Sequence, residues 1–166
     1  MKPMFIATIP AVLLLMAAGF FPSKAPLIKA TGTVRAEEVV LCSLASAAGN
    51  FGANLNGTLI LPTGPVPVAA VVRATADSTG TLSFTEARSI GGSFANETAT
   101  GTWTVNPDCT GTATFQVFES GQFVRTSTLA LVLDDHSREL RFVQESLTLP
   151  DGTSVPVVIS GEGRKM

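Results

Sequence analysis

From Phe51 onward, apolar and polar residues alternate with a period of two, the spacing of a strand buried on one face. Phe51, Ala53, Leu55 and Leu59 mark a first strand, with Gly57 expected as a bulge or bend. After the loop Leu61-Pro62-Thr63-Gly64-Pro65, a second strand carries Val68, Ala70, Val72 and Ala74, and Asp77-Ser78-Thr79-Gly80 closes it. Leu82 and Phe84 lie on a third, and Gly91-Gly92 breaks the chain before a long fourth. On that fourth strand Thr98, Thr100, Thr102 and Thr104 alternate with Ala99, Gly101, Trp103 and Val105. Asn106-Pro107-Asp108 then supplies turn chemistry, because proline fixes φ and Asn and Asp hydrogen-bond their own backbone. Ala113, Phe115 and Val117 carry a fifth strand, Leu129, Leu131 and Leu133 a sixth, Leu140 and Phe142 a seventh. Ser120-Gly121 and Asp134-Asp135-His136-Ser137 separate these three, and Asp151-Gly152 precedes an eighth strand through Val155, Val157 and Ile159.

Connections this short exclude parallel crossovers, so the fold class is all-β, an antiparallel meander of about eight strands. Eight twisted strands with one apolar face close most readily into a barrel, which removes unpaired edges. A two-sheet β-sandwich is the competing architecture. The interior of an eight-stranded barrel is just large enough to be filled by side chains or to hold one small ligand. Ala45-Ser46-Ala47-Ala48 is expected as a helical turn.

The start of the chain has another character. Lys2 precedes an uncharged apolar run from Met4 to Phe21, the parts of a secretory signal. A membrane anchor is the competing reading, since the run is long enough to span a bilayer, but Pro10 in its middle and the loose chain after it favour a signal. Ala17-Ala18-Gly19 and Val34-Arg35-Ala36 both offer cleavage points. Residues 1–36 are therefore expected as a signal and processing segment and 37–166 as a single β-barrel domain, secreted or periplasmic. Four of the 11 basic residues (Lys2, Lys24, Lys29 and Arg35) precede Glu37, whereas all 13 acidic residues follow, so the domain carries a net charge of −6. That balance argues against nucleic acid or anionic lipid as partners, and no stable membrane association is expected after cleavage.

Cys42 and Cys109 are the only cysteines. In an oxidising compartment such a pair reads as one disulfide; two buried thiols or half of a metal site are the alternatives. Closing a loop of roughly 68 residues stabilises the chain by about 4 kcal/mol in the chain-entropy model. No CxxC spacing exists, and a single histidine cannot complete a zinc set, so no metal and no cofactor is expected.

Several segments occur in a recognisable order: Cys42-Ser-Leu-Ala-Ser46, Gly49-Asn-Phe-Gly52, Asp77-Ser-Thr-Gly-Thr-Leu-Ser83, Gly101-Thr-Trp-Thr-Val-Asn-Pro-Asp-Cys-Thr-Gly-Thr112 and Glu139-Leu-Arg-Phe-Val-Gln144. Together they resemble a group of uncharacterised bacterial secreted proteins. The resemblance implies a calycin-like barrel, related in shape to lipocalins and allene oxide cyclase, and brings no established activity. That group usually carries Tyr where this chain has Phe51 and Trp103.

Reactive groups are scarce. His136 lies in a polar turn, where neighbouring side chains diverge into solvent and cannot form a shielded triad; a weak divalent-ion site at Asp134 and Asp135 is the alternative. Glu86, Arg88, Glu97, Arg125, Arg141 and Glu145 lie in or near strands, and two carboxylates facing each other inside a barrel would be equipped for acid–base work. Arg141 and Glu145 are expected outside, opposite Leu140 and Phe142. Arg73 lies on a strand with two apolar faces and is expected to enter the interior or rim an opening. Trp103 and Arg73 are thus the candidate ligand-binding residues, and no catalytic residue is assigned. Three functions compete: a non-catalytic barrel binding a small apolar molecule, a structural or surface-interaction protein with a filled barrel, and an enzyme resembling allene oxide cyclase.

Overall fold

The computed structural model describes residues 41–134 and 136–166, so the signal segment expected at 1–36 lies outside the described residues. A short helix, α1 (Leu44–Ala47), is followed by β1 (Gly49–Leu61), β2 (Gly64–Ala76), β3 (Thr81–Ile90) and β4 (Ser93–Val105). Then come β5 (Thr110–Glu119), β6 (Gln122–Asp134), β7 (Glu139–Thr148) and β8 (Val157–Lys165). Each strand pairs antiparallel with the next, and β8 returns to β1, giving a closed barrel. The closing ladder runs from Phe51↔Lys165 to Leu59↔Val157. Two separate sheets would leave β1 and β8 as edges, so the sandwich is ruled out.

Alternation along each strand sorts residues between an apolar interior and a polar outside. Phe51, Ala70, Ala76, Ala99, Trp103, Ala113, Phe115 and Leu131 are among the buried core residues. Threonines face outward in cross-strand pairs, with the Thr104 and Thr112 hydroxyls 3.0 Å apart and those of Thr114 and Thr128 3.2 Å apart. This is the reverse of the apolar-out pattern of barrels that cross membranes.

Gly57 is not a bulge, since its ladders to Val68 and Ile159 are continuous. It marks a close approach instead: a Cβ there would overlap the Val158 carbonyl oxygen. The register shifts fall between Val117 and Phe118, against β6, and between Thr128 and Leu129, against β7. The second makes Glu145 the extra residue on β7, so the inward phase changes from Leu140, Phe142 and Gln144 to Leu147. The first loop is also tighter than expected, because β1 extends to Leu61 and β2 restarts at Gly64.

Helix α1 closes one end. Ser43 caps it, its side chain accepting from the Ser46 N–H in a reciprocal capping box. Leu44 and Ala47 then pack with Phe51, Ala76 and Trp103. The Cys42–Cys109 disulfide, with Cα atoms 4.9 Å apart and a sequence separation of 67, ties this plug to the β4–β5 turn. The Cys42 N–H adds a bond to the Pro107 carbonyl at 3.3 Å. Three turns share one device: Asp77, Asp108 and Asp151 each accept the N–H of the threonine two residues on, at 2.9, 3.1 and 2.9 Å. Hydrogen bonds from Thr81 and Thr79, from Thr110 and from Thr153 hold these three carboxyls below the usual range.

Because the disulfide pins the plug, reduction should lower the melting temperature by on the order of 10 °C. Alkylation with mass measurement should find both thiols blocked before reduction and open after it.

Candidate ligand cavity and its charged pole

The barrel is not filled. Small side chains on β2 and β5 (Ala70, Ala74, Ala113) face large ones on other strands, and between them lies a cavity of about 130 Å³, counted as the space water centres can occupy. Phe51, Leu55, Phe84, Trp103, Phe115, Leu129 and Phe142 line it, and Phe84 meets Phe115 edge-to-face at 4.8 Å. A space of this order accepts a benzene-sized guest.

Five polar side chains interrupt the apolar wall: Glu86 and Arg88 on β3, Arg125 and Ser127 on β6, and Gln144 on β7. Glu97 of β4 lies behind them, directly paired with Glu86. Arg125 reaches over β5 and places Nη2 2.6 Å from Glu86 Oε1 and Nη1 2.9 Å from Glu97 Oε1, donating to both. Arg88 sets Nε 2.5 Å from Glu97 Oε1 and donates through Nη2 to Glu119 Oε2 at 3.2 Å. The Glu97 side chain is fully enclosed. The contacts to Glu97 are close without all being aligned: Arg88 Nε and Glu97 Oε2 are buried with no hydrogen bond, although Glu97 Oε2 is 2.7 Å from Arg125 Nη2. Gln144 Nε2 donates to Ser127 Oγ at 3.1 Å and to the Ser146 carbonyl at 3.0 Å.

The two carboxyls are driven apart. Burial pushes the Glu86 carboxyl up, the hydrogen bond with Glu97 adds to this against the pull of Arg125, and it comes to about 7. Burial opposes ionisation of Glu97 as well, but interactions with Arg125, Glu86 and Arg88 outweigh it and hold Glu97 at about 2. Two carboxylates facing each other cannot both ionise cheaply, so the one nearer the cavity keeps its proton longer.

Trp103 lies in the interior as expected, 6% exposed, with Nε1 donating to the Asp77 carbonyl at 3.0 Å. Arg73 does not. It faces outward on β2 between Gly52 and Thr85, because Val68 to Ala76 put the even-numbered positions inside. Its strand is apolar on both faces because Val71 is left exposed to solvent, not because both faces are buried. Arg141 and Glu145 are outside as expected, Arg141 lying 3.6 Å from Asp134. His136 is exposed in the β6–β7 turn with φ +58°, and its neighbour Asp135 lies outside the described residues. Among the described residues, no group of three side chains is placed to hold a metal ion.

The charged pole had a signal in the sequence. Glu86 and Arg88 continue the even phase of Leu82 and Phe84, Glu97 shares the odd phase of Ala99 and Trp103, and Arg125 that of Leu129 and Leu131. What alternation does not give is their convergence, since β3, β4 and β6 meet there only through closure and the reach of Arg125.

Two measurements check this site. Trp103 should emit at short wavelength and resist aqueous quenchers, and a solvent-exposed spectrum from the folded protein would contradict the inward face. Both carboxyls start from 4.5 when unperturbed. Stability from ionised Glu97 is present above that value and lost as the pH falls toward 2. Stability from neutral Glu86 is present below it and lost as the pH rises through about 7. Glu86→Gln should therefore change little near pH 4.5 and stabilise at pH 8 by on the order of 1–2 kcal/mol in denaturant titrations. An equal effect at both pH values would contradict the assignment.

No family model matches the chain, and no curated protein matches it. A solved structure described as "Structure of EF1p2_mFAP2b bound to DFHBI" is similar over 75% of this chain and 100% of its own, with 9% sequence identity and a TM-score of 0.47.

Proposed function

We propose that this protein works outside the cytoplasm as a non-catalytic binding barrel, holding a small and largely apolar molecule in its interior. The observation that carries this reading is the cavity, walled by aromatic and aliphatic side chains and met at one side by a few convergent polar groups. Ligand sites have this composition, apolar walls for affinity and few polar anchors for orientation. The disulfide and the apolar leader support export, and the resemblance to secreted calycin-like proteins agrees with both. A second reading, acid–base catalysis, draws on the Glu86–Glu97 pair, whose protonation is split as in carboxylate dyads. Binding is favoured because Glu97 is enclosed and engaged by two guanidinium groups, leaving only Glu86 to exchange a proton with a guest.

Native mass spectrometry of the exported protein should show a retained small molecule that denaturation releases. Octan-1-ol should shift the Trp103 emission, and Ala74→Phe, which fills the cavity, should abolish the shift while leaving a folded β spectrum. An emission that octan-1-ol leaves unaltered in the parent protein would point to a structural barrel that takes no guest.

A further inference from the structure

We infer that the cavity takes an uncharged molecule, an apolar alcohol or ketone whose single oxygen accepts from the Ser127 hydroxyl. A proton shared by Glu86 and Glu97 keeps the polar side of the cavity neutral and so excludes charged guests. The inference rests on the binding reading above and names the ligand class.

Ser127 supplies the anchor. It lines the cavity from the inward phase of β6 and is only 2% exposed. Its oxygen accepts from Gln144 Nε2 at 3.1 Å, and Gln144 Nε2 also donates to the Ser146 carbonyl at 3.0 Å. A serine hydroxyl keeps one hydrogen of its own to donate. Among the described residues, no acceptor takes that hydrogen. Leaving a buried donor unpaired is costly, and an oxygen on a guest removes the cost.

Charge sets the second requirement. Glu97 is directly opposite Glu86 on one side and Glu119 on the other, so three carboxyls lie abreast on β3, β4 and β5. Two guanidiniums, Arg88 and Arg125, pair with them. The Glu86 and Glu97 carboxyls are hydrogen-bonded to each other. Ionised carboxylates only accept, so that bond contains a proton. The proton also adds a donor to Glu97, whose buried Oε2 is met by no N–H in hydrogen-bonding alignment. With one proton on the pair, two negative charges face two positive ones and the cluster is neutral. A carboxylate or an ammonium would then bring an uncompensated charge into an apolar enclosure, whereas an uncharged oxygen brings none.

The same proton links binding to pH. The charged groups facing Glu86 are Glu97 from β4, Arg125 from β6 and Arg88 from its own strand, with Glu119 of β5 behind Arg88. Val72, opposite Glu86 on β2, is apolar. The inward faces of β1 and β7 bring no charge, and Lys165 of β8 lies at the α1 end over the Phe51 ring. Burial is the largest influence on Glu86 and holds its proton up to about 7. Once ionised, a carboxylate at the cavity wall needs water beside it, and a guest has to displace that water. The filled cavity therefore keeps the proton to higher pH than the empty one, and uptake of a guest above about pH 7 draws a proton in.

The test titrates octan-2-one, octanoate and octylamine into the full purified protein at pH 6.0 and 8.5, with Trp103 emission and calorimetry as readouts. Octan-2-one should bind at least about tenfold more tightly than either charged guest at pH 6.0. Its affinity should fall by about tenfold at pH 8.5, where binding takes up a proton seen as buffer-dependent heat. Glu86→Gln should bind octan-2-one equally at both pH values. Ser127→Ala should weaken octan-2-one by about fivefold; should that variant not fold, the charge preference and the pH dependence still decide. Octanoate or octylamine binding as well as octan-2-one, an affinity for octan-2-one that ignores pH in the parent protein, or a folded Ser127→Ala of unchanged affinity would overturn this ligand class. The binding barrel would still stand if octan-1-ol shifts the Trp103 emission. Failure of octan-1-ol and of all three guests to bind would overturn both.

Discussion

The ladder between β1 and β8 is the constraint on which everything else in the barrel depends. Nine residue pairs from Phe51↔Lys165 to Leu59↔Val157 join the ends of the meander, and once they form, every inward position of eight strands faces the same interior. Closure demands strong coiling, and the chain meets that demand with glycine where backbones crowd. At Gly57 against Val158, and at Gly101 against Thr114, a side chain would collide with a neighbouring carbonyl. Without closure β1 and β8 would be edge strands, their unpaired N–H and C=O groups open to pairing with another chain.

Closure also creates the electrostatic problem at the centre of the molecule. Glu86 and Glu97 are opposite one another on β3 and β4, a pairing that is unfavourable between like charges. Burial makes it worse, because removing charges from water costs several kcal/mol per ion. The barrel resolves it by bringing Arg88 and Arg125 onto the pair and by leaving Glu86 protonated up to neutral pH. Replacing these groups with packed aliphatics would give a simpler core, like the separate cluster formed by Leu59, Val68, Leu147 and Ile159.

The opposite end is closed by different means. The single-turn α1 is far too short to be stable alone, and its place depends on Ser43 and Ser46 capping it, on Ala47 packing beneath it, and on the disulfide holding it over Trp103. Trp103 thus serves as both floor of the cavity and seat of the plug, with its indole N–H satisfied by the Asp77 carbonyl. The two ends divide the work: one is pinned covalently, and the other carries the groups that titrate.

Much of this was legible in the sequence because a strand's period of two is a local property. The alternation at Val68–Ala74, at Ala99–Val105 and at Leu129–Leu133 determined the strands, their inward faces and the inward Trp103, and turn residues at Asp77, Asn106 and Asp151 determined where they reverse. The cysteine pairing followed from there being two cysteines in the chain. The tertiary structure decided the rest. Whether eight strands close or split depends on β1 meeting β8, residues about a hundred positions apart in the chain. Phase alone showed Arg73 outside only once Val71 proved exposed. The bulges against β6 and β7 moved the inward phase at positions where no turn residue marks them. The cavity arose because Ala70, Ala74 and Ala113 are too small to meet the side chains across the barrel, and that shortfall depends on the barrel's width. The charged pole gathered from three strands because closure placed them within reach of one arginine, a distance that no local pattern encodes.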